Sequence, residues 1–421
     1  MQKIVQKWLF LLIIVISCSK EKTNRPNIDP PKINKNELVN YNKNSQIVKI
    51  KLDPKKSKDL IDFNKYFKLE KIINLDNKAV VGTIDKIQFT NNKIIIFDRK
   101  NTEQLYCYDL YGNLIWEFKN KGGGPNEYVR LKDFDIDTKQ KTVDIWDSRG
   151  LKVLKIDIET GNLKGTEKVH TFGQEMVTYK NIKYFYNIGG GFSDSLCFKL
   201  IGVNNQNQVV SRLLPYEKID FTKNSYSIRS LNSSFNKNSL MFSEILNDTI
   251  YELKNDELKA SYLVDFSNYG VNVKEIKNDK FIENSPILKN KIINFSDKIV
   301  FNDDYLIFNY PFKSNSDRYE TFRTVLYNRV SREIIHFRRI INSPLTLTKS
   351  EQIIFENFDS NDNLVQIIDP MIFNEARQRI KNGVVSEEDI KLFKNKKPEL
   401  YNLITNSNEY SNPILAFYKL K

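Results

Sequence analysis

A unit repeated at an offset of 49 residues constrains this chain more than any other feature. Between Asn91 and Leu163 it occurs twice: a strand ending in an aromatic residue and Asp, a polar turn, a second strand ending in Asp, and a Gly-Asn-Leu turn. Phe97-Asp98 corresponds to Trp146-Asp147, and Gly112-Asn113-Leu114 to Gly161-Asn162-Leu163. A repeat of this length with four short strands is what one blade of a β-propeller requires. Strand patterns recur downstream at Ile182–Asn187, Leu196–Val203, Leu240–Leu253, Ala260–Phe266, Lys298–Tyr310, Phe322–Asn328 and Glu333–Arg338. With no long helical pattern between them, they exclude a doubly wound α/β fold.

The two ends of the pattern predict how a ring closes. Gln46–Leu52 alternates polar and apolar residues and reads as a strand, as do Phe67–Leu75, Val80–Phe89 and Lys93–Phe97. Leu60–Phe67 reads as a short helix or an irregular turn. Pro370–Asn406 carries helical signals: Ser386-Glu-Glu-Asp389 is a capping box and Pro398 opens a last helix. A final strand, Ile414–Leu420, then predicts closure, with Gln46–Leu52 as the expected partner completing the last blade.

The first residues are a targeting segment. Lys3 and Lys7 form a basic start, and Trp8–Ile16 is an apolar run too short to span a bilayer, which takes about 20 apolar residues. Val15-Ile16-Ser17-Cys18 follows, similar to the lipobox of bacterial lipoproteins. Residues 1–17 are therefore expected to be a signal peptide and Cys18 the lipidated mature N-terminus, anchoring the protein to a membrane. Residues 18–45, rich in Asn, Lys and Pro, are expected to be a disordered tether. Lys20-Glu21-Lys22 leaves both surface display and the periplasmic face open.

Composition fits a globular body, with 40% hydrophobic and 12% aromatic residues. The net charge of +13 comes mainly from lysines scattered through turns. Nucleic-acid binding calls for a clustered basic stripe, and none is visible. Cys107 and Cys197 sit in apolar strand patterns of different expected blades; two buried thiols is the preferred reading and a disulfide the other.

The repeat residues carry a resemblance. Asp133-Phe-Asp-Ile-Asp137, Val143-Asp-Ile-Trp-Asp147 and Val153-Leu-Lys-Ile-Asp157 resemble NHL-type propeller repeats. Gly122-Gly-Gly-Pro-Asn-Glu-Tyr128 and the ending Asn412–Lys421 are similar to the six-bladed β-propeller lipoproteins of Bacteroidetes, apart from Asn126 where that family usually has Gly. The resemblance implies an all-β fold, a six-bladed β-propeller of four-stranded antiparallel blades over residues 46–421, with a small helical insertion at 370–406 before the closing strand. It implies a location at the outer membrane, on its surface or periplasmic face. It says little about activity.

Candidate ligand-binding residues are Gly123, Gly124, Glu127 and Tyr128 in the Gly-rich loop, with Arg99 and Arg149 in the paired turns. The loop lacks the Lys-Ser/Thr ending of a phosphate cradle. It either borders the channel mouth, with Glu127 and Tyr128 facing a ligand, or is an inter-blade connection with Glu127 bonded to backbone amides; the second is preferred. Asp133, Asp135 and Asp137 alternate along one strand, so they either converge on a cation or cap turns; turn capping is preferred. An EF-hand is excluded, because the position of its bidentate Glu holds Asp144.

Two histidines, His170 and His336, do not provide for a multi-His metal centre, and no Cys-x-x-Cys pair exists. No catalytic residue, metal site or cofactor is expected. The function expected is therefore a lipid-anchored, non-catalytic scaffold binding an unidentified glycan, peptide or envelope protein. The second reading is a glycan hydrolase or lyase with paired carboxylates at the channel mouth, and a third is a structural subunit of an envelope complex.

Overall fold

The computed structural model describes residues 32–34, 38–43, 45–171, 173–187, 197–215, 230–233, 238–244, 247–270, 291–292, 298–313, 321–343, 351–408 and 410–421. The expected signal peptide, Cys18, the first part of the expected tether and Gly189–Gly191 lie outside the described residues. The chain forms a six-bladed β-propeller, each blade a four-stranded antiparallel meander. Blade 1 holds Lys86–Phe89, Lys93–Asp98, Gln104–Asp109 and Leu114–Phe118. Blade 2 holds Leu131–Asp137, Thr142–Asp147, Lys152–Asp157 and Leu163–Lys168. Blades 3, 4 and 5 begin at Glu175–Tyr179, Ser230–Ser233 and Ile299–Phe301. Blade 6 takes Asn357–Phe358, Leu364–Ile368 and Ile414–Leu420 from the end of the chain. From blade 2 onward, the first strands of successive blades touch, which places them around the central channel.

Both faces of an inner-sheet strand are buried, which explains runs such as Lys93–Asp98. Ile95 and Phe97 pack into the core between blades 1 and 2, whereas Ile94 and Ile96 pack into the core between blades 6 and 1. Alternate side chains point to opposite faces, so a strand between two blades must be apolar at nearly every position. Each of the six blade–blade interfaces has its own apolar cluster.

The ring closes through a different strand from the one expected. Phe67–Asn74 is the outer strand of blade 6, antiparallel to Ile414–Leu420, with Ile414 opposite Asn74 and Leu420 opposite Phe67. Val48–Lys51, inside the segment Gln46–Leu52, instead runs parallel along Glu257–Asp265, the outer strand of blade 4. The reason is the two-sided burial that closure demands. Phe67 enters the cluster between blades 5 and 6, and Ile73 the cluster between blades 6 and 1. Both apolar anchors of the earlier segment, Ile50 and Leu52, enter one cluster between blades 4 and 5.

The described strands ahead of Phe67 form a belt along the outer edges of three blades. Lys32–Ile33 pairs parallel with Gln208–Pro215 of blade 3, Asn40–Asn42 with blade 4, and Lys58–Asp62 with Ile334–Ile341 of blade 5. Within the expected tether, therefore, Lys32–Ile33 and Asn40–Asn42 are edge strands, since they cover backbone donors and acceptors that outer strands leave open. One helical turn, Phe63–Tyr66, leads into the closing strand.

Before the last strand lie three helices, Pro370–Lys381, Glu387–Lys396 and Pro398–Asn406. Ser386 caps the second, its hydroxyl accepting from the Asp389 amide at 3.1 Å. Phe373, Ala376, Leu400 and Ile404 bury into the cluster between blades 5 and 6.

Candidate functional site

The repeated residues do equivalent work in both copies. Asp98 accepts from the amides of Gly82, Thr83 and Asn101, tying the approach to the first strand of blade 1 to the turn after its second strand. Asp147 does the same in blade 2 through Val129, Arg130 and Gly150. Gly112 has φ +90°, and a Cβ there would sit 2.1 Å from the Asn74 carbonyl oxygen of the closing strand. Gly161, at φ +74°, presses in the same way on Trp116. Each Gly-Asn-Leu turn thus rests on the outer strand of the preceding blade, where a side chain does not fit.

The alternating aspartates of blade 2 divide into two roles. Asp137 caps a turn, accepting from the amides of Lys139 and Gln140 at 3.0 Å. Asp133 and Asp135 do not cap turns; they staple three blades together. Asp133 Oδ1 accepts from Lys86 Nζ of blade 1 at 2.8 Å and Oδ2 from the Met176 amide of blade 3 at 2.7 Å. Asp135 accepts from Gln88 Nε2 at 2.7 Å and from the Thr178 amide at 2.6 Å. The blades are separate sheets, and these carboxylates bridge their first strands where no backbone ladder does.

Above the staple a cavity of about 200 Å³ opens at the channel mouth. Residues from five blades line it: Asp85, Lys86, Arg99 and Lys100 from blade 1, Lys132 and Asp133 from blade 2, Glu175 from blade 3, Asn232 from blade 4, and Lys298 ahead of blade 5. Four of its cations have carboxylate partners. Lys86 pairs with Asp133 at 2.8 Å, Lys100 and Arg99 with Asp85 at 3.4 and 3.7 Å, and Lys298 with Glu356. Burial works against the Lys86 charge, but Asp133 and Asp135 outweigh it and raise its pKa above the lysine range.

Of the residues expected from sequence, only Arg99 reaches this cavity. Arg149 is exposed on the corresponding turn of blade 2. Tyr128 does not face a ligand: it is 1% exposed, packs on Phe118 and donates its hydroxyl to the Glu103 carbonyl at 2.7 Å. Glu127 accepts from the Gly124 amide at 2.8 Å, and Lys152 Nζ donates to the Gly124 carbonyl at 3.0 Å. The Gly122–Tyr128 loop, with Gly123 exposed at its tip, is an inter-blade connection held on itself. Sequence reasoning missed Lys86, Lys132 and Lys298. A lysine inside the apolar approach or body of a first strand was the available signal.

Two of the three carboxylates lining the cavity, Asp85 and Asp133, are poorly disposed for acid–base chemistry. Both oxygens of Asp133 are held by donors, and Asp85 Oδ2 accepts from the amides of Arg99 and Lys100 while its other oxygen faces their cationic groups. Among the described residues no group of His, Cys, Asp and Glu side chains is arranged to hold a metal ion. Cys107 is a buried free thiol and Cys197 is partly buried, and burial pushes Cys107 up to about 12, which keeps it protonated and inert.

Comparisons with known proteins place this geometry among propellers. A protein described as exported, from Bacteroides fragilis, has a solved structure that matches 89% of this chain and 100% of its own, at 16% identity and TM-score 0.66. A DUF4221-family member from Bacteroides vulgatus matches 84% of this chain and 98% of its own, at 10% identity and TM-score 0.49. A search of curated proteins finds no match. A family model matches residues 46–419, nearly the entire propeller, and the chain belongs to that family, described as Domain of unknown function (DUF4934).

Proposed function

We propose that this is a lipid-anchored cell-envelope propeller that captures a ligand or partner at its channel mouth without chemically transforming it. The cavity carries the reading: side chains from five blades converge there, and the two fully engaged carboxylates, Asp85 and Asp133, are fixed as structural acceptors. Paired-carboxylate hydrolysis needs one free acid and one free base or nucleophile, so the hydrolase reading is not favoured. The similar fold of a Bacteroides protein described as exported supports the envelope location.

Anchoring rests on Cys18. Cys18→Ala is expected to move the protein from the membrane to the soluble fraction and to abolish labelling by a palmitate analogue. Membrane retention without any label in the unmodified chain would refute the lipid anchor.

Capture is tested with the full-length chain in mild detergent on a glycan and peptide array, each hit then followed by mass spectrometry. Arg99→Ala should weaken capture about tenfold, the loss of one charged hydrogen bond, and leave stability within about 0.5 kcal/mol because the side chain is surface-exposed. Reproducible turnover of a captured ligand would overturn the non-catalytic reading.

A further inference from the structure

Among the described residues, the cavity holds one cation without a carboxylate partner. Lys132 lines it from the first strand of blade 2, partly buried, and among the described residues it has no ion pair, unlike Lys86, Arg99, Lys100 and Lys298. Its position is set by backbone irregularity. Leu131 lies opposite Asp147 and Asp133 opposite Trp146, so Lys132 is the extra residue of a β-bulge. In a regular strand neighbouring side chains point to opposite faces, whereas here Lys132 and Asp133 both face the cavity. The bulge lets Asp133 keep its staple while Lys132 is delivered beside it.

The surroundings do not favour that ammonium. Burial holds Lys132 below the usual lysine range, Arg99 and Arg130 add repulsion, and Glu175 and Asp133 offset only part of this. A structural lysine would be expected to sit against a carboxylate, as Lys86 does. A partly buried cation that shares a polar cavity with Arg99, with Arg130 close outside it, instead suits an anion arriving from outside.

We infer that the cavity is an oxyanion-binding subsite, with Lys132 and Arg99 as the two ligand-contacting cations, and that the captured ligand carries a carboxylate, sulfate or phosphate group. This rests on the capture reading and narrows it. Lys100 lies at the rim, 65% exposed, where it can screen or assist. Arg130 is exposed on the approach to the bulge and raises the local positive potential.

The test uses the full-length chain in detergent, titrated with inorganic phosphate, sulfate, glucuronate and the neutral control glucose, at constant ionic strength set with chloride. Calorimetry and thermal unfolding report binding. At least one oxyanion should bind and raise the melting temperature, glucose should not, and Lys132→Gln should weaken that binding at least about tenfold. Preference for glucuronate over phosphate would assign the group to an acidic sugar, and the reverse to a phosphate ester. A second readout separates function from structure. Without anion, Lys132→Met should leave the melting temperature unchanged or higher, because it removes an uncompensated charge; a clear drop would make Lys132 a structural cation and overturn the inference. Oxyanion binding that persists undiminished in Lys132→Gln is an adventitious ion only and also overturns it. Array hits that are all neutral, with no oxyanion response, would sink the inference while leaving capture intact. Absence of array hits alongside Lys132-dependent oxyanion binding would keep the subsite and count against glycan or peptide capture.

Discussion

Asp133→Ala should cost about 3–5 kcal/mol of stability, the range expected when one partner of a buried ion pair is removed. Asp133 is 5% exposed and holds groups from three blades: the Lys86 ammonium, the Met176 amide and its own neighbour's amide at Phe134. Alanine leaves Lys86 without its nearest carboxylate and leaves the Met176 amide without an acceptor, between the first strands of adjacent blades. Asp135→Ala removes the acceptor of two neutral donors, Gln88 and the Thr178 amide, and should cost about 1–3 kcal/mol. The charge contribution is isolated by Lys86→Met. Alone it leaves the Asp133 carboxylate without its cation, yet the double variant Lys86→Met/Asp133→Ala should be more stable than the two single losses predict. Denaturant unfolding of the four proteins measures this. Strict additivity, or a loss under about 1 kcal/mol for Asp133→Ala, would show that the staple does not hold the blades.

The staple also shows where sequence reading stops. Asp133, Asp135 and Asp137 alternate in the same way whether they bind a cation, cap turns or bridge blades. The blade-bridging partners of Asp133 and Asp135 lie 43–47 residues away, in strands whose proximity depends on the closed ring. Asp98, Asp147, Gly112 and Gly161 were legible because their task is repeated and mostly local: the same residue answers the same turn and the same preceding strand twice. The helices before the last strand were legible for the same reason, since Ser386 and Pro398 act within their own first turns.

Lys132 was invisible, and the Gly122–Tyr128 loop was conspicuous for a reason unrelated to ligands. A bulge exists only relative to a partner strand, so the extra residue of Leu131–Asp137 appears once it is aligned against Thr142–Asp147. The Gly-rich loop draws attention through its glycines and proline, yet its distinctive acid folds back on the Gly124 amide and its tyrosine is core. Tight turns need unusual residues; binding surfaces often need only ordinary lysines in unusual places.

A chain beginning at Asn77 should fail to fold cooperatively, because it lacks the strand that closes the ring. Phe67–Asn74 pairs with Ile414–Leu420 through seven opposed residues. Its buried Phe67 and Ile73 alone contribute about 3–6 kcal/mol, against a total of about 5–15 kcal/mol for a typical domain. Their loss also strips Phe417 and Tyr418 of neighbours and opens the edge of blade 6, a template for intermolecular pairing. A chain beginning at Gln46 should still fold, since it loses the short parallel edges of Lys32–Ile33 and Asn40–Asn42 and the buried Val39 but no strand of a blade. The expected pattern in circular dichroism melts and size-exclusion chromatography is a cooperative monomer for the longer chain and aggregates or a broad transition for the shorter. Adding a peptide of residues 58–76 during refolding should recover part of the monomer, since the missing strand is an outer one and docks from outside. Sequence alone favoured Gln46–Leu52 for closure because edge pairing and ring closure demand the same alternation. Burial on both faces separates them, so a shorter chain that melts as sharply and at the same temperature as the longer would mean that Phe67–Asn74 is only another strand of the belt.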